Sequence, residues 1–243
     1  CLLSRGLGDV YKRQAMNSEP IIAGIAALKS IAEVLGTPPI AEPADPVPAR
    51  GGALEVRNLV FSYGDGPRVL DGMSATFEPG TLTALVGSSG SGKSTVARLL
   101  ARFHDPVEGS VLLGGDDLRD IAVRDVHRSV SVVFQDPQLF TLPLRENIRL
   151  ARRDATDDEI MAAAKLANLD AVIAALPKRL DSVVNVDVTF SGGEAQRVAI
   201  ARSIVTDAPV LIFDEATAYA DPASEALIPV SYTHLTLPTS DLV

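Results

Sequence analysis

A glycine-rich stretch, GSSGSGKST at residues 87–95, carries residue types that can bind phosphate groups. It matches the pattern GxxxxGK[ST]. Glycines let backbone N–H groups turn toward phosphate oxygens, and a helix that begins near Lys93 directs its positive end at the same cavity. We expect Lys93 to reach the β- and γ-phosphates of a nucleotide and the Ser94 hydroxyl to hold Mg²⁺. The candidate phosphate-binding residues are Gly87, Ser88, Ser89, Gly90, Ser91, Gly92, Lys93, Ser94 and Thr95.

An ordinary flexible turn is the alternative for this stretch. The apolar LTALV before it and the helix-like STVARLLARF after it favour a phosphate loop, because the motif requires a strand before it and a helix after it.

A second stretch, PVLIFDEA, places Asp214 and Glu215 at the end of a buried strand. Solvated acids at a strand end are the alternative here. Beside a phosphate loop, Asp214 suits contact with the metal through its water, and Glu215 suits a general base.

A third stretch, FSGGEAQRVAIARSIV, begins like a capped helix with Ser191 as N-cap and Glu194 three residues later. Gly192 and Gly193 are difficult to explain by capping alone, because a glycine costs up to about 1 kcal/mol against alanine inside a helix. They suit a second anion-binding helix end, separate from the first. We expect it to act on the nucleotide of a neighbouring subunit.

The elements that position these residues alternate between strand and helix patterns. From near Ala53 the chain predicts the strands ALEVRNLVFSY, MSATFE and TLTALV, followed by alternating helices and strands. This alternation predicts an α/β domain with a largely parallel sheet. The Pro-rich residues 37–52 predict a linker, and residues 18–35 predict one amphipathic helix that ends before Pro38. That helix either lies on the domain that follows or is the remnant of a domain absent from this sequence, and we favour the second interpretation.

Composition excludes several functional classes. The chain has 243 residues and a net charge of −9, which argues against a protein that holds nucleic acid by neutralising phosphates. Cys1 is its single cysteine, so it has no internal disulfide, and no Cys/His spacing predicts a metal site. No run reaches the eighteen or so apolar residues that cross a bilayer.

Together these motifs resemble the nucleotide-binding domain of an ATP-binding cassette (ABC) transporter over residues 53–228. SGGEAQR stands in the place of the signature motif, LIFDEA in that of the second acidic motif, and YADP, with Asp221, in that of the D-loop. The resemblance implies a P-loop NTPase fold with a mainly parallel core, an antiparallel β subdomain and a helical signature subdomain. It further implies that Tyr63 stacks on adenine and that Gln135 contacts Mg²⁺ and the attacking water.

The resemblance also implies ATP and Mg²⁺ as ligands and a second ABC ATPase domain as partner. FQDPQLF and LRENI are similar to exporter-type half-transporters, in which this region receives helices of the membrane domain. The full-length protein is then expected at the cytoplasmic face of the inner membrane, with residues 15–36 ending its membrane domain and this piece soluble. The sequence DEATAYADP is similar to that of a subgroup associated with siderophore uptake.

Two departures from the family are visible. The stretch VVNVDVT replaces a glycine- and glutamate-rich segment, and the usual continuation to a histidine beyond the D-loop is missing. Residues 1–14 and 229–243 resemble translated sequencing-adapter segments and are expected to be non-native, without helix or strand in the second. We therefore expect an ATPase domain truncated at the C-terminus, with the helix start DPASEAL as its last element, that binds MgATP but hydrolyses it slowly.

Two other functions stay open on the sequence alone. One is a soluble ABC ATPase of repair or translation, against which the acidic charge and the LRENI region argue. The other is a non-catalytic nucleotide-binding subunit, against which Glu215 argues.

Overall fold

The computed structural model describes residues 23–32, residues 35–214 and the backbone of residues 232–236. The chain divides into two compact units, Cys1–Ile40 and Ala41–Val243. In the first unit, residues 23–32 form helix α1 and residues 35–36 are also helical. Ile25, Leu28 and Leu35 of the predicted apolar stripe are exposed. Residues 18–22 of the predicted helix lie outside the described residues. Among the described residues, no helix is long and apolar enough to cross a membrane.

The second unit alternates strands and helices as the sequence predicts. Its strands are β1 Leu54–Ser62, β2 Arg68–Phe77, β3 Leu82–Val86, β4 Glu108–Leu113, β5 Asp116–Asp117, β6 Val130–Val133, β7 Val210–Phe213 and β8 Tyr232–Thr236. Its α-helices are α2 Lys93–Leu100, α3 Val123–Ser129, α4 Leu144–Ile148, α5 Asp157–Leu166, α6 Asp170–Ala175 and α7 Gly192–Val205. Short 3₁₀ turns are formed by Leu118–Asp120, Arg149–Ala151 and Arg179–Asp181.

The described strands form one antiparallel sheet and two parallel pairs. The antiparallel sheet has the order β2-β1-β4-β5, and the parallel pairs are β3-β8 and β6-β7. Strands β6 and β7 carry short apolar runs, VSVV and VLIF, typical of the buried strands of a parallel sheet. The predicted combination of parallel strands with an antiparallel β subdomain is confirmed.

The described residues of the second unit form two large hydrophobic cores and a small third cluster that contains Val133 and Ala199. The first packs the antiparallel strands against α2, with Leu59, Val96 and Leu99 almost fully buried. The second packs α4, α5, α6 and α7 together around Ile148 and Ile160. This second core corresponds to the predicted helical subdomain and includes α7, whose N-cap and first turns carry the SGGEAQR motif.

The stretch predicted as a Pro-rich linker contacts the rest of the second unit from Ala41 onward. The buried Arg102, 2% exposed, donates from Nη2 to the Ala41 carbonyl at 2.9 Å and from Nη1 to the Ile121 carbonyl at 2.7 Å. The Val47 amide donates to the Asp120 carbonyl at 2.8 Å. The second compact unit therefore includes residues 41–52, and the start of the predicted domain near Ala53 stays a prediction. Proline-rich composition excludes a helix here, but an extended chain can still pair with a neighbour through its carbonyls.

The C-terminal stretch contains a strand, so the expectation of neither helix nor strand in residues 229–243 is wrong. β8 runs parallel to β3, with Leu82 opposite Tyr232 and Val86 opposite Thr236. The segment YTHLT is rich in residues that favour strands, and β3 offers it an unpaired edge. The helix start DPASEAL lies outside the described residues, and the non-native origin of 229–243 stays a prediction.

Candidate functional site

The glycine-rich stretch connects β3 to α2, as the phosphate-loop interpretation requires. Gly90 and Gly92 have positive φ angles of 81° and 92°. At Gly92 a Cβ atom would lie 2.8 Å from Cδ2 of Leu70 and 3.3 Å from the Val69 carbonyl, so only glycine fits without displacing β2. Residues 87–90 are exposed, and the turn is open to a ligand.

Lys93 is the first residue of α2, and its side chain folds back over the loop. Its Nζ donates to the carbonyl of Gly87 at 3.1 Å and to that of Ser88 at 3.0 Å. Both acceptors are neutral carbonyls, which bind an ammonium group less strongly than phosphate oxygens do. The ammonium group therefore lies over the loop, where an incoming phosphate can replace the carbonyls as its acceptor.

Ser94 lies next to the acidic residue predicted to share its metal ion. Its hydroxyl donates to Oδ1 of Asp214 at 2.8 Å, across 120 positions of the sequence. Strand pairing fixes Asp214: β6 and β7 are parallel with Val133 opposite Phe213, and the amide of Asp214 donates to the Val133 carbonyl at 2.9 Å. Val210 and Ile212 of β7 also pack against the core that contains Val96 and Leu99 of α2, the helix that carries Ser94. The pair is partly buried, at the carboxyl end of β7.

The donor atoms around this pair suit Mg²⁺, which prefers oxygen ligands and keeps several waters. The Ser94 hydroxyl and the Asp214 carboxylate supply two such oxygens, and Gln135 follows β6 at the same strand edge, two residues after Val133. Among the described residues no group of three or more His, Cys, Asp or Glu side chains gathers into a metal site. A metal ion here would complete its coordination with phosphate oxygens and water.

The loop that follows Gln135 is fixed by two polar side chains of the helical subdomain. Asn147, fully buried, accepts from the Phe140 amide at 2.8 Å and donates to the Phe140 carbonyl at 2.9 Å. Arg202 on α7 donates to the Gln138 carbonyl at 3.1 Å, and its burial lowers the pKa of its guanidinium group. Neither residue was found from sequence, because no local pattern indicates that a helix side chain caps a distant loop.

Tyr63, predicted to stack on adenine, lies just after β1 and is 41% exposed. Its hydroxyl lies 3.3 Å from Oγ1 of Thr95, the residue after Ser94, and it accepts from Nη1 of Arg98 at 3.2 Å. The structure thus brings Tyr63 to the helix that follows the phosphate loop. Its neighbours Arg98 and His104 were not identified from the sequence.

Ser191 caps α7 as the sequence predicts, in a complete capping box. Its backbone amide and hydroxyl donate to Oε2 of Glu194 at 2.8 and 2.7 Å, and these bonds lower the pKa of the Glu194 carboxyl group. The amides of Gly192 and Gly193 have no acceptor among the described residues. No hydrogen bond joins residues 191–194 to the phosphate loop within the described chain. Ser191 and Gly192 are exposed, so another molecule can reach this helix end.

Two predicted site residues, Glu215 and Asp221, lie outside the described residues. Glu215 directly follows Asp214 in the sequence.

Comparison with known proteins identifies the same region. The family model for ABC transporters matches residues 70–218. The mycobactin import ATP-binding/permease protein IrtA of Mycolicibacterium thermoresistibile is 45% identical over 195 residues, which cover 80% of this chain and 22% of that protein. The mitochondrial iron-sulfur clusters transporter ATM1 of Kluyveromyces lactis is 42% identical over 173 residues, covering 71% of this chain and 24% of that protein.

A solved structure agrees with these relatives. The structure of a bacterial Atm1-family ABC exporter with ATP bound superposes with a TM-score of 0.75 at 35% sequence identity, covering 90% of this chain and 40% of that chain. The chain thus spans less than half the length of the proteins it matches. The family match covers more than half of the chain, including the phosphate loop and the signature motif, and the chain therefore belongs to the ABC transporter family and contains its ATP-binding domain.

Proposed function

We propose that this domain binds ATP with Mg²⁺ and hydrolyses it to drive a membrane domain that lies outside this sequence. The observation that carries the proposal is the Ser94–Asp214 contact at 2.8 Å beside the Lys93 ammonium group. It joins the two stretches that the chemistry requires, a phosphate-binding turn and a metal-binding carboxylate, from opposite ends of the domain sequence. An accidental Gly/Ser turn gives no reason for this meeting.

Each residue has a distinct role in the proposed reaction. Lys93 binds the β- and γ-phosphates, while Ser94 and Asp214, with Gln135 at the same edge, would hold the metal ion. Bound Mg²⁺ would neutralise charge on the phosphate oxygens. Glu215 orients and deprotonates the attacking water, and Tyr63 stacks on the adenine ring.

The second anion site implies a dimer. Ser191, Gly192 and Gly193 present, at the start of α7, a hydroxyl group and two amides without acceptors among the described residues. We propose that this hydroxyl group and these amides bind the γ-phosphate held by a second ABC ATPase domain, with Glu194 and Asp221 at the same contact, so that two domains enclose each nucleotide.

The full-length protein is proposed to act at the cytoplasmic face of the inner membrane. Two observations support a siderophore as its transported substrate: the motif DEATAYADP, and 45–47% identity to three mycobactin import proteins. Uptake of an iron-loaded siderophore into vesicles that contain the full-length transporter would test this part. Absence of ATP-dependent uptake there would contradict it.

Calorimetric titration with MgATP tests the binding function. We expect the parent chain to bind MgATP and Lys93→Ala to lose binding without unfolding, because Lys93 lies at an open turn and not in either hydrophobic core. Lys165→Ala, an exposed lysine at the end of α5, is the matched control and should bind as the parent does. Retained binding in Lys93→Ala would contradict the assignment.

Glu215→Gln should bind MgATP but release less phosphate than the parent, because the variant lacks the proposed general base for the attacking water. An assay of phosphate release measures this difference.

A further inference from the structure

Three aromatic rings meet beside the phosphate loop. The Tyr63 ring lies 4.9 Å from that of Phe61 and 5.4 Å from that of His104, at interplanar angles of 87° and 89°. Phe61 and His104 also touch each other, with centroids 5.5 Å apart. Phe61 is 4% exposed and belongs to the first hydrophobic core, so the cluster is anchored to the rigid part of the domain. Edge-to-face contacts of this kind are the favoured arrangement of aromatic pairs.

The hydroxyl group of Tyr63 supplies a second restraint. It accepts from Arg98 at 3.2 Å and lies 3.3 Å from the Thr95 hydroxyl, and both partners belong to α2, which begins at Lys93. The ring contacts fix the tilt of Tyr63, and the hydroxyl contacts fix its distance from the helix that carries the phosphate-binding residues. Two independent restraints therefore act on one half-exposed side chain.

Tyr63 remains 41% exposed, so a flat ligand can reach part of its surface. Phe61 and His104 both meet Tyr63 at right angles, and none of the described rings lies parallel to it. A purine base needs a parallel face, and its stacking depends on the orientation of that face relative to the bound phosphates.

We propose that His104 is a positioning residue for Tyr63: through the edge-to-face contact it holds the tyrosine ring at the angle at which a purine base can stack while the phosphates occupy the glycine-rich loop. The proposal rests on the proposed ATP-binding function. His104 is expected to affect the binding of the base and not the binding of the phosphates, because it acts through Tyr63.

The test compares two ligands of the full chain, MgATP and Mg-tripolyphosphate, by calorimetry. His104→Ala should raise the Kd for ATP about two- to tenfold, the range of an aromatic pair interaction, and leave the Kd for tripolyphosphate unchanged. His104→Phe, which restores a ring, should recover ATP affinity. Tyr63→Phe, which loses the Arg98 contact but keeps the ring, should weaken ATP binding about two- to tenfold and also spare tripolyphosphate.

The matched control is His127→Ala. The ring centroids of His127 on α3 and Phe103 are 5.4 Å apart, and His127 does not belong to the three-ring cluster. Its loss should therefore change neither the Kd for ATP nor the Kd for tripolyphosphate. Should His104→Ala fail to fold, His104→Leu replaces it, because leucine fills space without offering an aromatic edge. The Kd for ATP of His104→Leu is then compared with that of His104→Phe, and a higher value for the leucine variant supports the role of the aromatic edge.

The outcomes separate the two proposals. A parent chain that binds neither ligand contradicts the proposed function and removes the basis of this inference. A parent that binds ATP while His104→Ala and His104→Leu bind it equally well contradicts the inference alone. Equal weakening of ATP and tripolyphosphate by either variant also overturns it, because that result indicates a general structural role.

Discussion

At the level of single residues, the Ser94–Asp214 contact is the most informative feature of the site. A hydroxyl group and a carboxylate 2.8 Å apart form a pair that a cation can bridge or bind beside. Asp214→Asn keeps the shape of the side chain and removes its charge. We expect the variant to bind ATP without Mg²⁺ as the parent does, but to lose about tenfold or more of the affinity gained with Mg²⁺, because a charged contact is lost.

Titration with ATP in the presence of Mg²⁺ and of a chelator measures this gain. Asp158→Asn, at an exposed position in the first turn of α5, is the control for loss of one negative charge. An Asp214→Asn variant whose affinity rises with Mg²⁺ as much as that of the parent would show that this carboxylate does not serve the metal ion.

How far the site could be predicted from sequence depends on whether a residue lies in a local pattern. Lys93, Ser94 and Asp214 were found because fixed spacing and a preceding apolar strand identify them. His104 and Arg98 were missed, since they reach Tyr63 from 41 and 35 positions away, through contacts that only the folded chain creates. Tyr63 and Gln135 were named only through the family resemblance, because neither stands in a pattern with its own chemistry.

At the level of elements, the start of α7 combines a helix cap with a proposed ligand site. The backbone amide and then the hydroxyl of Ser191 lower the pKa of Glu194. Because the folded carboxyl group has the lower pKa, its ionised form stabilises the fold. That contribution is fully present above the ordinary glutamate pKa of about 4.3 and is lost as the pH falls through the lowered folded value.

Glu194→Gln should therefore be less stable than the parent at pH 7, with a difference in unfolding free energy that narrows as the pH falls below about 4. Urea unfolding followed between pH 7 and pH 3 measures it. Glu159→Gln is a matched comparison, because Glu159 caps α5 through Thr156 in the same way and its pKa is also lowered, first by the Thr156 amide. A stability difference for Glu194→Gln that stays constant with pH would contradict the assigned cause.

Most helices and strands were predictable because apolar periodicity and capping signals mark them. Two elements were not. The contacts of residues 41–50 could not be seen, because a Pro-rich composition excludes helix without indicating where an extended chain docks. β8 was missed because five residues carry too little periodicity, and its partner strand lies 150 positions away in the register that pairs Leu82 with Tyr232.

At the level of the whole molecule, the exposed end of α7 predicts association of two domains around ATP. A Cβ atom at Gly192 would meet nothing within 4 Å, so Gly192→Asp should fold as the parent does. Its carboxylate would repel the γ-phosphate of a partner domain. We expect monomers of the variant to bind ATP normally and to associate at least about tenfold more weakly, the cost of placing like charges together at a dry contact.

Sedimentation of the chain with MgATP, in a Glu215→Gln background that preserves the nucleotide, measures this association. Gly51→Asp is the control, because a Cβ atom there also meets nothing within 4 Å. Ser191→Ala should weaken association without adding charge. If the parent stays monomeric with ATP, or if Gly192→Asp associates as well as the parent, α7 does not bind the nucleotide of a partner.

Arg102 makes the start of the domain a mechanical anchor. Its guanidinium group holds the Ala41 and Ile121 carbonyls, and its backbone lies two residues beyond the end of α2. Tension that arrives along the chain at Ala41 therefore passes into the end of that helix before it can unravel residues 42–52. α2 is 8 residues long, or about 12 Å, and its opposite end is Lys93. A force on the chain at Ala41 and the charge proposed to bind phosphate, at Lys93, thus act on opposite ends of one short helix.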